Sequence, residues 1–323
     1  MSSDHQNREG TPVAASGTSY VLRFGDAEAI VASIGASLRS YRVGGRDLVL
    51  SYGEDEIRPG YRGATLVPWP NRVVDGTYEV DGTQYRLALT EPERHHALHG
   101  LVAWLDFAPT VVAADHVTLA TTVVAQTAYP WTLRVETTYR LGADGLTQSV
   151  RVVNDSDSPA PFGTGPHPYL VAGPAPLDEW TLELPADRVL EVTEDRLSPI
   201  ALRDVDDVAE FDFRTARVLG AVEIDHAFTG VGRDAAGRAA VRITDPSGSG
   251  VEMSWDAACT WVQVYTGDLP GGPAQDGHRA GVAVEPMTCA PDAFNDARYD
   301  YDTGLRFIAP GASDEASWRI SPL

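Results

Sequence analysis

One carboxylate and one imidazole stand in settings that suit proton transfer. In "GVAVEPMTCAPDAF", residues 281–294, Glu285 follows four small or apolar residues and precedes Pro286 and Met287. The proline after it holds Glu285 extended, so Val282 and Val284 share one face of the run and Ala283 and Glu285 the other. A carboxyl group among apolar neighbours resists ionisation, which raises its pKa toward the range of a useful base at neutral pH. The plainer alternative is an edge-strand glutamate pointing to water. In "GTGPHPYL", residues 163–170, His167 sits between Pro166 and Pro168. Each proline fixes its own φ and removes an N–H donor, so this imidazole rides on a stiff, non-helical backbone. A rigid turn with an incidental histidine would look the same.

Other residues could grip a polar ligand. "TLVPWPNRVVDGTYEV" places Arg72 after a stiff Pro-Trp-Pro stretch, which suits a guanidinium that must meet a fixed oxygen. Trp69 offers a flat apolar surface for a ring, or is simply core. In "EIDHAFTG", Asp225 reads either as a loop cap or as a ligand-binding carboxylate. "HHALHG" gives His95 and His99 the i, i+4 spacing of a helical metal pair. Gly100 ends any helix there, no Glu follows His95, and the chain has no cysteine cluster. A single functional imidazole is favoured over a metal site, with His99 preferred because Gly100 lets the backbone approach a ligand closely.

These residues must be positioned by strands. In "WTLRVETTYRL", Leu133, Val135, Thr137, Tyr139 and Leu141 fall on one face, and Thr132, Arg134, Glu136, Thr138 and Arg140 on the other. "GLTQSVRVVND" follows after Gly142, Asp144 and Gly145, so the two predict a hairpin. Strand patterns recur in "SYVLRF", "AEAIVASI", "TYEV", "TQYRLAL", "HVTLATTVVAQ", "AAVRITD", "GVEMSWD", "TWVQVYT", "GLRFIA" and "ASWRIS", separated by turn signals such as VDGT and TDPSGSG. No sustained helical period appears. Many short strands at close spacing predict an all-β chain of antiparallel sheets packed as a sandwich. Residues 1–17 read as a disordered tail and 18–323 as a single domain.

Composition narrows the function classes. The 323 residues carry a net charge of −21, which argues against nucleic acid and anionic membrane surfaces as partners. All 25 basic residues are arginine. A Schiff-base lysine, a pyridoxal-phosphate lysine and the usual P-loop lysine are thereby excluded, and acid–base chemistry is left to His, Asp and Glu. The two cysteines, Cys259 and Cys289, form no CxxC motif. Together with an N-terminus lacking an apolar signal region, they suggest a reduced, cytoplasmic protein. "GTG" at 163–165 lacks the third glycine and following helix of a dinucleotide site.

In order along the chain, "PWPNRVVDGTY", "LHG", "GTGPHPYL", "DHAF" and "VAVEPMT" resemble the motifs of the aldose 1-epimerase (galactose mutarotase) family. The similarity runs from about residue 18 to near the end. It implies a large antiparallel β super-sandwich, no metal or organic cofactor, and a small-molecule sugar as ligand, in a monomer or homodimer. By that resemblance Glu285 matches the general base and His167 the general acid. Arg72, His99 and Asp225 match groups that bind sugar hydroxyls and the ring oxygen, with Asn71 and Trp69 counted beside them. The implied reaction is anomer interconversion by ring opening and reclosure. Galactose-specific members carry "HGG" where this chain has "HGL", so the preferred sugar is left open. A glycoside hydrolase using Glu285 and Asp225 as paired carboxylates is one rival. A non-catalytic sugar sensor is the other, although a sensor would be expected to lose Glu285 or His167.

Overall fold

The structure is a computed structural model that describes residues 13–323. Alternation in sequence becomes alternation in burial. Leu133–Gly142 pairs with Gly145–Asn154 from Leu133↔Asn154 to Gly142↔Gly145, the expected hairpin. Leu133, Val135, Thr137, Tyr139 and Leu141 are all buried. Each fully buried Leu or Val of this kind contributes roughly 1.5–3 kcal/mol relative to exposure.

That hairpin lies within a nine-stranded antiparallel sheet. Its order is Ala108–Val112, His116–Val123, Leu133–Gly142, Gly145–Asn154, Ser313–Pro322, Gly250–Trp255, Ala239–Thr244, Thr181–Glu183 and Arg217–Val218. A second, six-stranded antiparallel sheet runs Tyr169–Leu170, Val282–Met287, Trp261–Tyr265, Asp225–Val231, Ala186–Val192, Pro199–Asp204. Residues 19–47 add a four-stranded sheet. Val135, Val150 and Val241 of the first sheet share one apolar cluster with Phe228, Val262 and Val284 of the second. The antiparallel sandwich expected from the strand patterns, and the large super-sandwich implied by the family resemblance, is therefore what the chain forms. Helical segments among the described residues are short 3₁₀ turns, and none is long and apolar enough to cross a membrane.

Three strands were not legible as alternating runs. In Ser37–Val43, Arg39 is buried among apolar neighbours and hydrogen-bonds Ser16 and Glu54, which breaks the period-two pattern. Ala186–Val192 and Pro199–Asp204 follow no clean alternation either: the first buries Val189 and Leu190 side by side, and the second buries none of its residues fully. Of the expected tail, residues 1–12 lie outside the described residues. Ser16 is buried, and its N–H donates to Glu54 O at 2.9 Å, so the packed chain begins ahead of residue 18.

Candidate active site

The six-stranded sheet aims the carboxylate. Val282–Met287 is flanked on both sides, by Tyr169–Leu170 and by Trp261–Tyr265, and all six of its residues are buried. The edge-strand alternative for Glu285 fails: it is 1% exposed in the sheet interior. Val282 and Val284 join the main core, which turns Glu285 to the opposite face. Gln263 pairs across from Glu285, and Asp225 across from Tyr265. The Gln263 amide donates from Nε2 to Asp225 Oδ1 at 2.6 Å. Asp225 opens the Asp225–Val231 strand, so the loop-cap alternative gives way to a carboxylate carried by the sheet.

His167 is held by backbone pairing on either side. Gly165–Pro166 pairs with Thr65–Leu66, and Tyr169–Leu170 pairs with Ala283 and Val282. Between them the His167 N–H donates to Ala64 O at 3.1 Å, and Gly63 N–H donates to His167 O at 2.8 Å. A Cβ on Gly165 would lie 2.8 Å from Pro286 O, so only glycine lets this segment press onto the glutamate strand. The result is contact between His167 Nε2 and Glu285 Oε1 at 3.3 Å. His167 Nδ1 and Glu285 Oε2 are buried with no hydrogen-bond partner. An unpaired buried polar atom costs about 1–3 kcal/mol, and a bound polar ligand would recover it.

Asn71 and Arg72 enter from a neighbouring strand pair, Arg72–Val74 with His96–Leu98. The Asn71 backbone N–H donates to His99 Nδ1 at 3.2 Å. Asn71 Oδ1 accepts the backbone N–H of Arg72 at 2.9 Å. Arg72 donates from Nε and Nη2 to the two Glu91 oxygens at 2.8 and 3.0 Å. Tyr61 packs its ring 4.6 Å from His99, and His99 meets His167 edge-on at 4.9 Å. Glu285, His167, Arg72, Asn71, His99, Asp225 and Gln263 thus converge on one cleft of about 790 Å³.

Trp69 does not join them. It is buried, donates from Nε1 to Ala97 O at 3.3 Å and packs against Phe294, because the Pro-Trp-Pro segment turns its ring into the core. Gly100 also serves a different end from the one expected. A Cβ there would lie 2.2 Å from Val67 O, so its close approach is to backbone, not ligand. His95 and His96 lie outside the cleft, and His96 Nε2 is bonded to Arg196 O at 2.8 Å. Glu91 and Gln263 were not singled out from sequence. Gln263 carried a signal, a lone amide within the apolar strand "TWVQVYT". Glu91 carried none, since its partner is 19 residues away.

Burial drives both Glu285 and His167 toward their neutral forms. Desolvation, then the Asp225 charge, pushes the Glu285 carboxyl well above the usual carboxylate range, against the pull of Arg72. Desolvation takes the His167 imidazole down to about 3, with Arg58 and Arg72 adding to the fall and a backbone hydrogen bond opposing it. Burial likewise lowers His99. Glu91 is lowered because the two guanidiniums of Arg72 and Arg94 outweigh its desolvation. The Glu285–His167 pair therefore holds one proton between its members over a wide pH span.

His99, His167 and Glu285 offer ligand atoms within 4.8 Å of one another, close enough for a metal ion. The tautomer of His99 opposes that role. Its Nδ1 accepts from Asn71, so a neutral ring carries its proton on Nε2. A protonated nitrogen donates to a ligand oxygen and has no lone pair for a metal.

The sheets define a galactose mutarotase-like β-sandwich. The chain superposes on a galactose mutarotase-like protein from Clostridium acetobutylicum with a TM-score of 0.80 at 16% identity, covering 94% of each chain. The aldose 1-epimerase family model matches residues 18–313, and the chain belongs to that family. It is 34% identical to an uncharacterized protein, YihR, of Escherichia coli over 286 residues, 88% of each chain. It is 28% identical to human galactose mutarotase over 183 residues, 54% of this chain and 52% of that one.

Proposed function

We propose that this chain is an aldose 1-epimerase that interconverts the α and β anomers of a hexose or related aldose. The observation that carries this reading is the buried Glu285–His167 contact at 3.3 Å, with one unpaired polar atom on each partner. A sugar entering the cleft replaces that direct contact. The pair's single proton, which burial places on Glu285 in the empty cleft, shifts to His167 as the sugar's hydroxyl hydrogen-bonds the carboxylate; the anomeric hydroxyl then gives its proton to Glu285 while His167 passes its own to the ring oxygen. The C1–O5 bond breaks and C1 becomes an aldehyde. Rotation about C1–C2 presents the other carbonyl face, the proton transfers reverse, and the opposite anomer closes. Each positioned proton-transfer group supplies about 10²–10⁴-fold.

Arg72, His99 Nε2–H and the Asn71 amide supply donors to sugar oxygens, and Asp225 supplies an acceptor. Arg72 also offsets the negative charge that Glu285 develops when it loses its proton. The test is NMR exchange spectroscopy or polarimetry across neutral, amino and acidic aldoses, with Glu285→Gln as control. Faster anomer exchange than in buffer, lost in Glu285→Gln, supports the proposal. Saturable sugar binding with no acceleration for any sugar would overturn it in favour of a sensor.

A further inference from the structure

Separate from the cleft, the outer face of the nine-stranded sheet carries a groove of about 310 Å³. Its floor is small because Ala240 pairs across from Ser254, and Ser254 pairs across from Arg319. Arg233, Arg238, Arg242 and Arg319 stand around it, against only Asp234 and Glu252 among the lining acids. Among the lining residues, four guanidiniums thus stand against two carboxylates, in a chain of net charge −21.

The four guanidiniums are not equally engaged. Arg242 holds Glu252 at 2.9 Å and lies 3.7 Å from Glu183, and Arg319 pairs with Asp144. Arg233 donates only to the carbonyls of Gly237, Asp256 and Cys259, and Arg238 only to the carbonyl and hydroxyl of Ser254. Neither has a carboxylate partner, so both positive charges are uncompensated locally. Independently, the Nε of Arg238 and the Nε of Arg319 are buried donors with no acceptor. Two unsatisfied N–H groups and two unpaired cations line one small concavity. An oxyanion supplies what Arg233, Arg238 and Arg319 lack, because its oxygens accept several charge-assisted bonds at once.

We propose that this groove is a binding site for the phosphate group of a small molecule. The volume leaves room beside a phosphate for a sugar-sized remainder. The site shares no residue with the cleft, and the proposal stands whether or not the chain is an epimerase. The Asp225–Val231 strand leads from one to the other: Asp225 lines the cleft, and Arg233 lies two residues past the strand's far end.

The experiment is calorimetric titration at low ionic strength with inorganic phosphate and, separately, with a hexose 6-phosphate, against a chloride control. Saturable binding of one equivalent is expected. Arg238→Ala combined with Arg319→Ala should weaken it by about tenfold or more, as expected when charge-assisted bonds to an anion are lost. Because that variant removes packing as well as charge, Ala240→Asp provides a second arm. Its carboxylate would occupy the groove and pair with the arginines, so the protein should fold normally and phosphate binding should vanish. Tighter binding of the hexose phosphate identifies an organic phosphate as the occupant, and equal binding identifies free phosphate. No saturable binding, or binding unchanged in both groove variants, overturns the proposal. Loss of phosphate binding in Glu285→Gln with the groove variants unaffected would place the anion in the cleft and overturn it too.

Discussion

Arg72 is gripped by Glu91 through two hydrogen bonds of 2.8 and 3.0 Å, with both side chains almost wholly buried. The carboxylate, not the preceding Pro-Trp-Pro stretch, sets the direction of the guanidinium. Arg94 adds a further bond to Glu91 at 3.1 Å and braces it from outside.

Removing either partner therefore has two effects. Glu91→Gln should free Arg72 and raise KM by roughly fivefold to tenfold with a smaller change in kcat, the loss expected for a charge-assisted pair. Arg72→Ala should weaken sugar binding and also destabilise the fold by about 1–3 kcal/mol, because it leaves the buried Glu91 carboxylate with only the outer Arg94 bond. The double variant Arg72→Ala with Glu91→Ala should recover much of that stability. Thermal melts and steady-state kinetics on the three proteins decide the matter. Unchanged KM in Glu91→Gln would show that Arg72 needs no such partner.

Glu285 should act against stability at neutral pH. Its folded-state carboxyl titrates well above the ordinary value. Over the pH range between the two values the folded state keeps a proton that the unfolded state has lost. Stability contributed by this group is thus present below the unfolded pKa and falls as pH rises toward the folded one. Glu285→Gln removes the titration while keeping the shape. The variant should melt above the wild type at pH 8, with the gain shrinking toward pH 5. A gain that is constant with pH, or a lower melting point at pH 8, would contradict the burial argument.

A chelator should leave activity untouched. The Asn71 bond to His99 Nδ1 puts the ring proton on the nitrogen that faces the cleft. EDTA-treated protein should keep its full rate of anomer exchange. Loss of that rate, restored by a divalent ion, would mean that His99 adopts the other tautomer.

The site was legible where a local pattern forced a direction. Glu285 could be aimed from sequence because Val282 and Val284 claim the core face of its strand. His167 could be singled out because its flanking prolines leave few backbone states. Arg72, Asn71, His99 and Asp225 enter the same cleft, although the stretches that carry them are far apart in the chain. What was not legible depends on partners distant in sequence. Trp69 has the same local context whether its ring faces ligand or core, and Phe294 decides between them. Glu91 gains meaning only when the strand pairing brings it to Arg72. The four-arginine groove brings Arg242 and Arg319, on strands placed in register, together with Arg233 and Arg238 from the connection before Ala239–Thr244, which no single stretch reveals.

The pH profile should follow the pair rather than either residue. A protonated His167 with an ordinary pKa would give a basic limb near neutrality, and burial removes that expectation by lowering His167 to about 3. The competent form carries one proton in total. Activity should fall on the acid side, below the ordinary imidazole range, where the pair takes a second proton. On the basic side it should fall where the pair loses its last proton, above the ordinary carboxylate range. Measuring kcat/KM against pH tests this directly. A basic limb that tracks an unperturbed imidazole would restore His167 as an independent acid.

The strictest test is the coupling between Glu285 and His167. If the two share one proton and move it through the sugar, neither works without the other. Glu285→Gln keeps the volume and hydrogen-bonding reach of the side chain, so binding and packing should survive while kcat falls by about 10²-fold or more. His167→Asn should lose a comparable factor, because the ring oxygen then has no proton donor. With one proton path already broken, removing the second group has little left to disrupt. The double variant should therefore cost far less than the product of the two single losses. Sugar binding, followed by tryptophan fluorescence or calorimetry, should change little across the three proteins. Losses that multiply would mean that the two groups act on separate steps. Near-wild-type anomer exchange by Glu285→Gln would remove the carboxylate from the chemistry and leave the 3.3 Å contact as a structural feature of a sugar-binding cleft.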